Sequence, residues 1–431
     1  MQHKFSRVAI IGLGYIGLPT AATLASRGVE VIGVDVNEHA VSMITQGKVH
    51  FSEPDLDMLV RAAVMTGKLR AVVTPEPAEA FIIAVPTPLT DDKRPDLSFI
   101  DAAADSIAPV LEAGNLIVLE STSPVGTSAR LSRQLAELRP DLTFPHTAGE
   151  RSDIRIAYCP ERILPGRMVL ELVENDRIIG GLTPACAARA DQLYRIFVKG
   201  ACLLTDANTA ELVKLTENAY RDVNIAFANE LSMICDGMGL DVWRVIELSN
   251  RHPRVKILQP GPGVGGHCIA VDPWFIVDGM PEASRLIRTA REVNDSKPHH
   301  IIDRIRRHAV RFKDPVIACL GLTYKPNVDD LRESPALEIT AHIAREGLGK
   351  VLAVEPHIRS LPPELTEFDN LHYCDMSEAL AEADIAVLLV DHAEFRAIEA
   401  KELLNKIVID TRGFWRDRLY VPDRYGRAAA E

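Results

Sequence analysis

The sequence alternates short apolar runs with longer segments in which apolar residues recur every three to four positions. Val8-Ala9-Ile10-Ile11 has no polar residue within it, which marks a strand covered on both faces. A helical pattern follows from Leu18 to Arg27, then a second apolar run, Val31-Ile32-Gly33-Val34. Similar runs stand at Phe81 to Val85, Leu116 to Glu120 and Ile154 to Tyr158, and Ile178-Ile179 and Cys202-Leu203-Leu204 continue the β character. Strands separated by helices predict a parallel sheet covered by helices, and this first unit closes near Thr205. The period then changes. From Ala210 to about Met238 the pattern is helical and free of proline, Asn208 and Glu211 have the spacing of a capping box, and Gly237 and Gly239 mark the end. Further helical pattern runs from Ser284 to Arg307. Val316 to Leu320, a helix from Pro335 to Arg345, Val351 to Val354, Ile385 to Val390 and Ile407 to Ile409 then repeat the alternation of the first unit. The expected fold is α/β, two doubly wound domains joined by a long central helix, with boundaries at 1–205, 206–310 and 311–431.

Between the first two apolar runs lies Gly12-Leu13-Gly14-Tyr15-Ile16-Gly17, and the second run ends at Asp35. Strand, glycine turn, helix, strand and acid in that order form the dinucleotide-binding unit of a Rossmann-like domain. Gly12 allows the tight turn, Gly14 lets the backbone approach a pyrophosphate, and Gly17 lets the helix pack on the sheet. The helix start at Ile16 and Gly17 offers N–H groups to the phosphates. Asp35 is placed to accept hydrogen bonds from ribose hydroxyls, and Val36-Asn37 supplies no arginine for a 2′-phosphate, so NAD is favoured over NADP. Loops at the carboxyl ends of the strands line the crevice of such a sheet, which brings Thr87 and Thr122 to the cofactor. Turn hydroxyls of this kind also bond their own backbone.

A second chemical centre is Gly261-Pro262-Gly263-Val264-Gly265-Gly266-His267-Cys268, where four glycines in six residues leave the main chain bare just before a thiol. The other six cysteines, Cys159, Cys186, Cys202, Cys235, Cys319 and Cys374, stand in or beside apolar patterns, where a small core residue is the usual reading. On the central helix Lys214, Asn218 and Arg221 fall at i, i+4 and i+7 and share one face. The second α/β unit is also Rossmann-like, but its first turn, Gly321-Leu322-Thr323-Tyr324-Lys325-Pro326, lacks the glycine fingerprint. It is expected to hold a different, phosphorylated ligand through Lys325 and Arg332. Ordinary alcohol dehydrogenation needs no nucleophile. A thiol becomes useful when an aldehyde is oxidised further, through a thiohemiacetal and a thioester that water releases. The residues therefore point to a four-electron oxidation of a primary alcohol to a carboxylate. Lys214 and Asn218 are suited to the developing oxyanion, and Glu161 and Asp272 are both candidates to activate water.

Composition narrows the partners. The net charge of −12 over 431 residues, with no basic stripe, speaks against nucleic acid, and no apolar run approaches the roughly 20 residues that span a bilayer. With no leader pattern ahead of Val8, the cytoplasm is the expected location. Seven widely spaced cysteines and thirteen scattered histidines show no metal-ligand spacing, so no metal is expected.

Gly-Leu-Gly-Tyr-Ile-Gly at 12–17, Glu120-Ser121-Thr122, Cys159-Pro160-Glu161-Arg162, Glu211-Leu212-Val213-Lys214 with Asn218-Ala219-Tyr220, Gly265-Gly266-His267-Cys268 and Tyr324-Lys325-Pro326 resemble the nucleotide-sugar 6-dehydrogenases across nearly the whole chain. That family includes the UDP-glucose, GDP-mannose and UDP-N-acetylhexosamine dehydrogenases. The resemblance implies Cys268 as nucleophile, Lys214 as acid/base or oxyanion residue, a UDP-sugar domain at the C-terminus and a homodimer through the central helix. Ile163-Leu164-Pro165-Gly166 departs from the UDP-glucose branch, which carries an acid where Pro165 stands, so water activation by that acid does not carry over. The segments around Glu161, Arg254 and Cys268 resemble the branch acting on UDP-N-acetyl-D-mannosamine, with UDP-N-acetylglucosamine as the runner-up substrate. This implies substrate contacts from Arg162, Ile163, Lys214, Asn218, Arg221, His252, Arg254, Gly265, Tyr324 and Lys325, and cofactor contacts from Tyr15, Asp35, Thr87, Thr122 and Arg332. A non-catalytic nucleotide-sugar sensor would keep the same domains and form no NADH.

Overall fold

A computed structural model describes residues 5–51, 53–163 and 166–416. Leu164 and Pro165, where the sequence departs from the UDP-glucose branch, lie outside the described residues. The chain divides into two compact units: residues up to Glu217 together with Trp274–Pro281, and Asn218–Pro273 together with the residues from Glu282 onward.

The first unit is built on strands β1 (Arg7–Ile11), β2 (Glu30–Val34), β3 (Leu69–Val72), β4 (Ala80–Ile83), β5 (Leu116–Leu119), β6 (Arg155–Tyr158), β7 (Arg177–Gly181) and β8 (Cys202–Asp206). Their order in the sheet is β3-β2-β1-β4-β5-β6-β7-β8, parallel except where β7 turns back antiparallel on β6, pairing Ala157 with Gly181. Both faces are covered, as the unbroken apolar runs require: Val8 and Ile10 enter one core cluster and Ala9 and Ile11 the other. The second unit contains β9 (Val316–Leu320), β10 (Lys350–Val354), β11 (Leu371–Tyr373), β12 (Ile385–Leu388) and β13 (Ile407–Asp410), parallel in the order β11-β10-β9-β12-β13. Alternation again divides Ile317 and Cys319 from Ala318 and Leu320.

Each sheet contains the same kind of turn. Gly12 and Gly321 both have φ near +90°, and each donates its N–H to the last residue of the neighbouring strand, Val34 O or Val354 O, at 2.8 Å. The acid after that strand then takes the next N–H: Leu13 N to Asp35 Oδ2 at 2.8 Å, and Leu322 N to Glu355 Oε2 at 2.7 Å. Asp35 Oδ1 also accepts from Asn37 N at 2.8 Å, as Glu355 Oε1 does from His357 N at 3.0 Å.

Helix α1 (Gly17–Ser26) follows β1, and α2 (Thr127–Leu138) follows β5. The long helix α3 runs over 32 residues, Ala207–Met238. It starts three residues before the apolar pattern implies, because β8 feeds straight into it. Asp206, the last strand residue, accepts from Thr209 N at 2.9 Å and from Thr209 Oγ1 at 2.6 Å, so Asp206 and not Asn208 serves as the cap. Glu211 does not close a capping box. Its buried carboxylate accepts from Gly126 N at 2.6 Å, Ser128 N at 2.8 Å and Ser128 Oγ at 2.7 Å, which ties α3 to the positive end of α2. At the other end Gly239, at φ +69°, turns the chain so that Leu240 N reaches Cys235 O at 2.8 Å. Helices α4 (Asp272–Gly279), α5 (Arg285–Ala309) and α6 (Pro335–Arg345) complete the elements used below.

Candidate active site

In the first unit the turn from β1 to α1 has the form a dinucleotide needs. A Cβ on Gly12 would stand 2.5 Å from Ala84 O, and one on Gly17 only 1.8 Å from Gly12 O, so both positions require glycine. A Cβ on Gly14 would meet no protein atom within 4 Å. That side of the turn is open, and α1 begins with no capping side chain and no acid in its first turn, which leaves its N–H end available to an anion. Asp35 is half-buried with two backbone partners, and each of its oxygens retains a lone pair for a ribose hydroxyl. These residues fit NAD. Tyr15 stacks on Phe51 with ring centroids 4.3 Å apart, at the same turn. Thr87 Oγ1 donates to Thr122 O at 2.7 Å, so Thr87 holds the loop that carries the half-buried Thr122.

Further along, Lys214 Nζ donates to the main-chain carbonyl of Glu161 at 2.9 Å. The Glu161 carboxylate points elsewhere: Oε1 accepts from Arg162 N at 2.6 Å, and Oε2 pairs with Arg177 Nη1 at 2.6 Å, both side chains being buried. Beside this pair Glu120 accepts from Tyr194 OH at 2.6 Å in a fully buried pocket. Burial, with the Glu161 charge added, raises Glu120 to about 7 in spite of Arg177. The sequence has no periodic mark for this network. Arg162 is a bidentate partner of Glu217 on α3, with Nε at 3.0 Å and Nη2 at 2.7 Å, and Ile163 packs against the core.

In the second unit Cys268 is half-buried at the end of the glycine stretch. The glycines are needed for a reason other than flexibility: the loop lies directly against the first turn of the C-terminal lobe. A Cβ on Gly265 would fall 2.3 Å from Glu333 O, one on Gly266 2.8 Å from Tyr324 Cε2, and one on Gly263 2.9 Å from Pro335. Gly266 N also donates to Arg332 O at 3.2 Å. Tyr324 and the segment through Arg332 are thus packed on the thiol loop, and the Arg332 guanidinium is paired with Asp330 at 2.6 Å. Lys325 is half-buried beside Tyr324, its Nζ 5.4 Å from the ring centroid. The Cys268 carbonyl accepts from Asp272 N at 2.8 Å, and the buried Asp272 carboxylate accepts from Asn218 Nδ2 at 2.5 Å, so helix α3 grips the residue that opens α4. Arg221, His252 and Arg254 are exposed.

Burial disfavours the thiolate at five of the other cysteines. Burial pushes Cys319 up to about 12 and Cys374 up to about 11, raises Cys202 and Cys235, and raises Cys159 further still, while Cys186 is buried. Among the described residues one group has ligand atoms close enough for a metal ion, Glu355 with His357 and His392. His392 Nδ1 accepts from Asn327 N at 3.0 Å, so Nε2 carries the proton and donates to Glu355 Oε2 at 2.9 Å. That is a hydrogen-bonded pin, with no lone pair on Nε2 for a metal. Among the described residues no helix is long and apolar enough to cross a membrane.

Comparison with known proteins identifies the family. Three sequence profiles of one family match in order: the NAD binding domain of the UDP-glucose/GDP-mannose dehydrogenase family at residues 6–198, its central domain at 208–296 and its UDP binding domain at 318–417. An NDP-N-acetyl-D-galactosaminuronic acid dehydrogenase of Ralstonia nicotianae is 64% identical over 411 residues, 95% of this chain and 96% of that one. A UDP-N-acetyl-D-mannosamine dehydrogenase of Escherichia coli K12 is 56% identical over 421 residues, 96% of this chain and all of that one. The solved UDP-D-ManNAc dehydrogenase of Pyrococcus horikoshii superposes with a TM-score of 0.85 at 39% identity, covering 95% of this chain and 96% of that one. The chain belongs to the UDP-glucose/GDP-mannose dehydrogenase family and is an NAD-dependent oxidoreductase of nucleotide sugars.

Proposed function

We propose that the protein oxidises the C6 alcohol of a UDP-N-acetylhexosamine to the carboxylate, with Cys268 as covalent nucleophile. The observation that carries this reading is the placement of Cys268 alone, among seven cysteines, at the end of a main chain stripped of side chains. NAD, held by the β1–α1 turn and Asp35, supplies the hydride acceptor for each oxidation. Lys214 donates to the oxygen that becomes alkoxide, and Asn218 and Thr122 are the further candidates to contact it. Cys268 sulfur adds to the aldehyde carbon to give a thiohemiacetal, the next two-electron oxidation leaves a thioester, and water releases the acid and the thiol. Asp272, a buried acceptor next to the thiol loop, is the better candidate to orient that water, since the Glu161 carboxylate is committed to Arg177. The sugar nucleotide is assigned to Tyr324, Lys325, Gly265 and Arg221, with Arg162, Ile163, His252 and Arg254 as further contacts. Arg332 would act towards the cofactor.

UDP-N-acetyl-D-mannosamine is the substrate indicated by the sequence segments around Cys268 and Arg254. The 64% identity to a galactosaminuronic acid dehydrogenase favours a second reading, the galacto epimer. The test is a panel of UDP-hexoses and UDP-N-acetylhexosamines read as NADH formed per sugar consumed. Two NADH per sugar with an N-acetylated substrate, lost in Cys268→Ala, is the expected result. One NADH, or normal turnover in that variant, would refute the thioester route, and NAD and UDP binding without NADH would identify a sensor.

We also infer a homodimer through α3. Leu212, Tyr220, Phe227, Ile234 and Met238 are exposed along this helix at intervals of eight, seven, seven and four residues, an apolar stripe of the kind that seals against a second helix.

A further inference from the structure

The loop that carries Cys268 is tied to a chain of buried polar side chains for which the reaction itself has no use. Gly261 N, at the start of the loop, donates to Asn229 Oδ1 at 2.9 Å. Asn229 Nδ2 donates to Asn294 Oδ1 at 2.9 Å, and Asn294 Nδ2 donates to Asp222 Oδ1 at 2.8 Å and to Asp222 O at 3.1 Å. Arg291 Nη1 closes the chain, donating to Asp222 Oδ1 at 2.5 Å and reaching Ile269 O, the residue after the thiol, at 3.5 Å. Arg291 Nη2 pairs in addition with Asp295. Asp222, Asn229, Arg291 and Asn294 are all at most 1% exposed.

Burying two charges and two amides between α3 and α5 is poor value for stability alone, since apolar residues of similar volume would serve as well or better. The polar side chains do something apolar ones cannot: they fix a direction. With both ends of each amide engaged, neither Asn229 nor Asn294 can flip without setting acceptor against acceptor. We propose that Asn229 and Arg291 are positioning residues that hold the Gly261–Ile269 loop at both ends and so set the attack geometry of Cys268. This rests on Cys268 being the nucleophile. It implies a loop that is rigid where its glycine content suggests mobility.

Alkylation of Cys268 by iodoacetamide, followed by peptide mass spectrometry on the whole protein without substrate, reads loop geometry independently of which sugar is used. In Asn229→Ala and Arg291→Lys, Cys268 is expected to alkylate at least fivefold faster while buried Cys235 and Cys319 stay unmodified. Turnover should fall at least tenfold with NAD affinity unchanged. An unchanged Cys268 rate in a folded variant, or all three cysteines rising together, overturns the proposal. In the unaltered protein, hydrogen exchange at Gly261 should be strongly protected, and exchange at the rate of an open loop would overturn it as well. Loss of the thioester route through Cys268→Ala data would leave the alkylation result standing and remove only its catalytic meaning.

Discussion

Lys214 Nζ donates to the main-chain oxygen of Glu161, while the Glu161 side chain turns into a buried pair with Arg177. The two halves of one residue thus have different duties. The carbonyl orients the lysine, and the carboxylate locks the carbonyl in place. A role for this carboxylate as free base would require breaking an ion pair whose partners are both buried.

Lys214→Ala is therefore expected to lower kcat by about 100-fold or more, the scale of removing an oxyanion donor, with little change in NAD binding. Steady-state kinetics beside NAD titration by fluorescence checks this. An unchanged kcat would demote Lys214 to a structural residue.

Glu120 should make stability depend on pH in the direction opposite to a surface carboxylate. Its folded value of about 7 lies above the ordinary range for Glu. Below the unfolded pKa both states hold the proton, whereas between there and about 7 only the folded state does. Stability is then lost as pH rises through that window and levels off above it. Urea titrations at a series of pH values should show the fall in the parent and a flatter profile in Glu120→Gln.

Asp35→Ala removes both the proposed ribose acceptor and the acceptor for Leu13 and Asn37 N–H. Losing a hydrogen bond to a charged group costs about 1.5–3 kcal/mol, so NAD affinity should fall by roughly tenfold to a hundredfold. Calorimetric titration with NAD is the measurement, and a change of less than twofold would remove Asp35 from the cofactor site.

Phe227→Glu places a charge in the exposed apolar stripe of α3. Sedimentation should show a dimer for the parent and a monomer for the variant. A parent that is already monomeric would contradict the helix-mediated dimer.

Much of this architecture is legible from the residues because it depends on local rules. The unbroken apolar runs locate the doubly covered strands, and glycine at 12, 14 and 17 with an acid at 35 marks a dinucleotide turn whose shape the structure reproduces. What escapes the sequence depends on tertiary contact. β3 has only Leu69 buried among its four residues, and β11 only Leu371, so neither carries an apolar run. The Glu120–Tyr194 and Arg177–Glu161 contacts join residues from separate elements that no periodicity connects. The glycines before Cys268 are visible as a pattern, yet their cause, contact with Tyr324, Glu333 and Pro335, appears only when the lobe is folded against them.

The pin between His392 and Glu355 has one more effect. Asp35 and Glu355 hold corresponding joints, but the second acid is 1% exposed and, besides Leu322, Thr323 and His357 N–H, takes a fourth donor from the imidazole. Its ribose berth has been filled from within. A polypeptide that carries two copies of the same nucleotide-sheet plan is therefore expected to offer NAD one address, with binding saturating at one equivalent per chain.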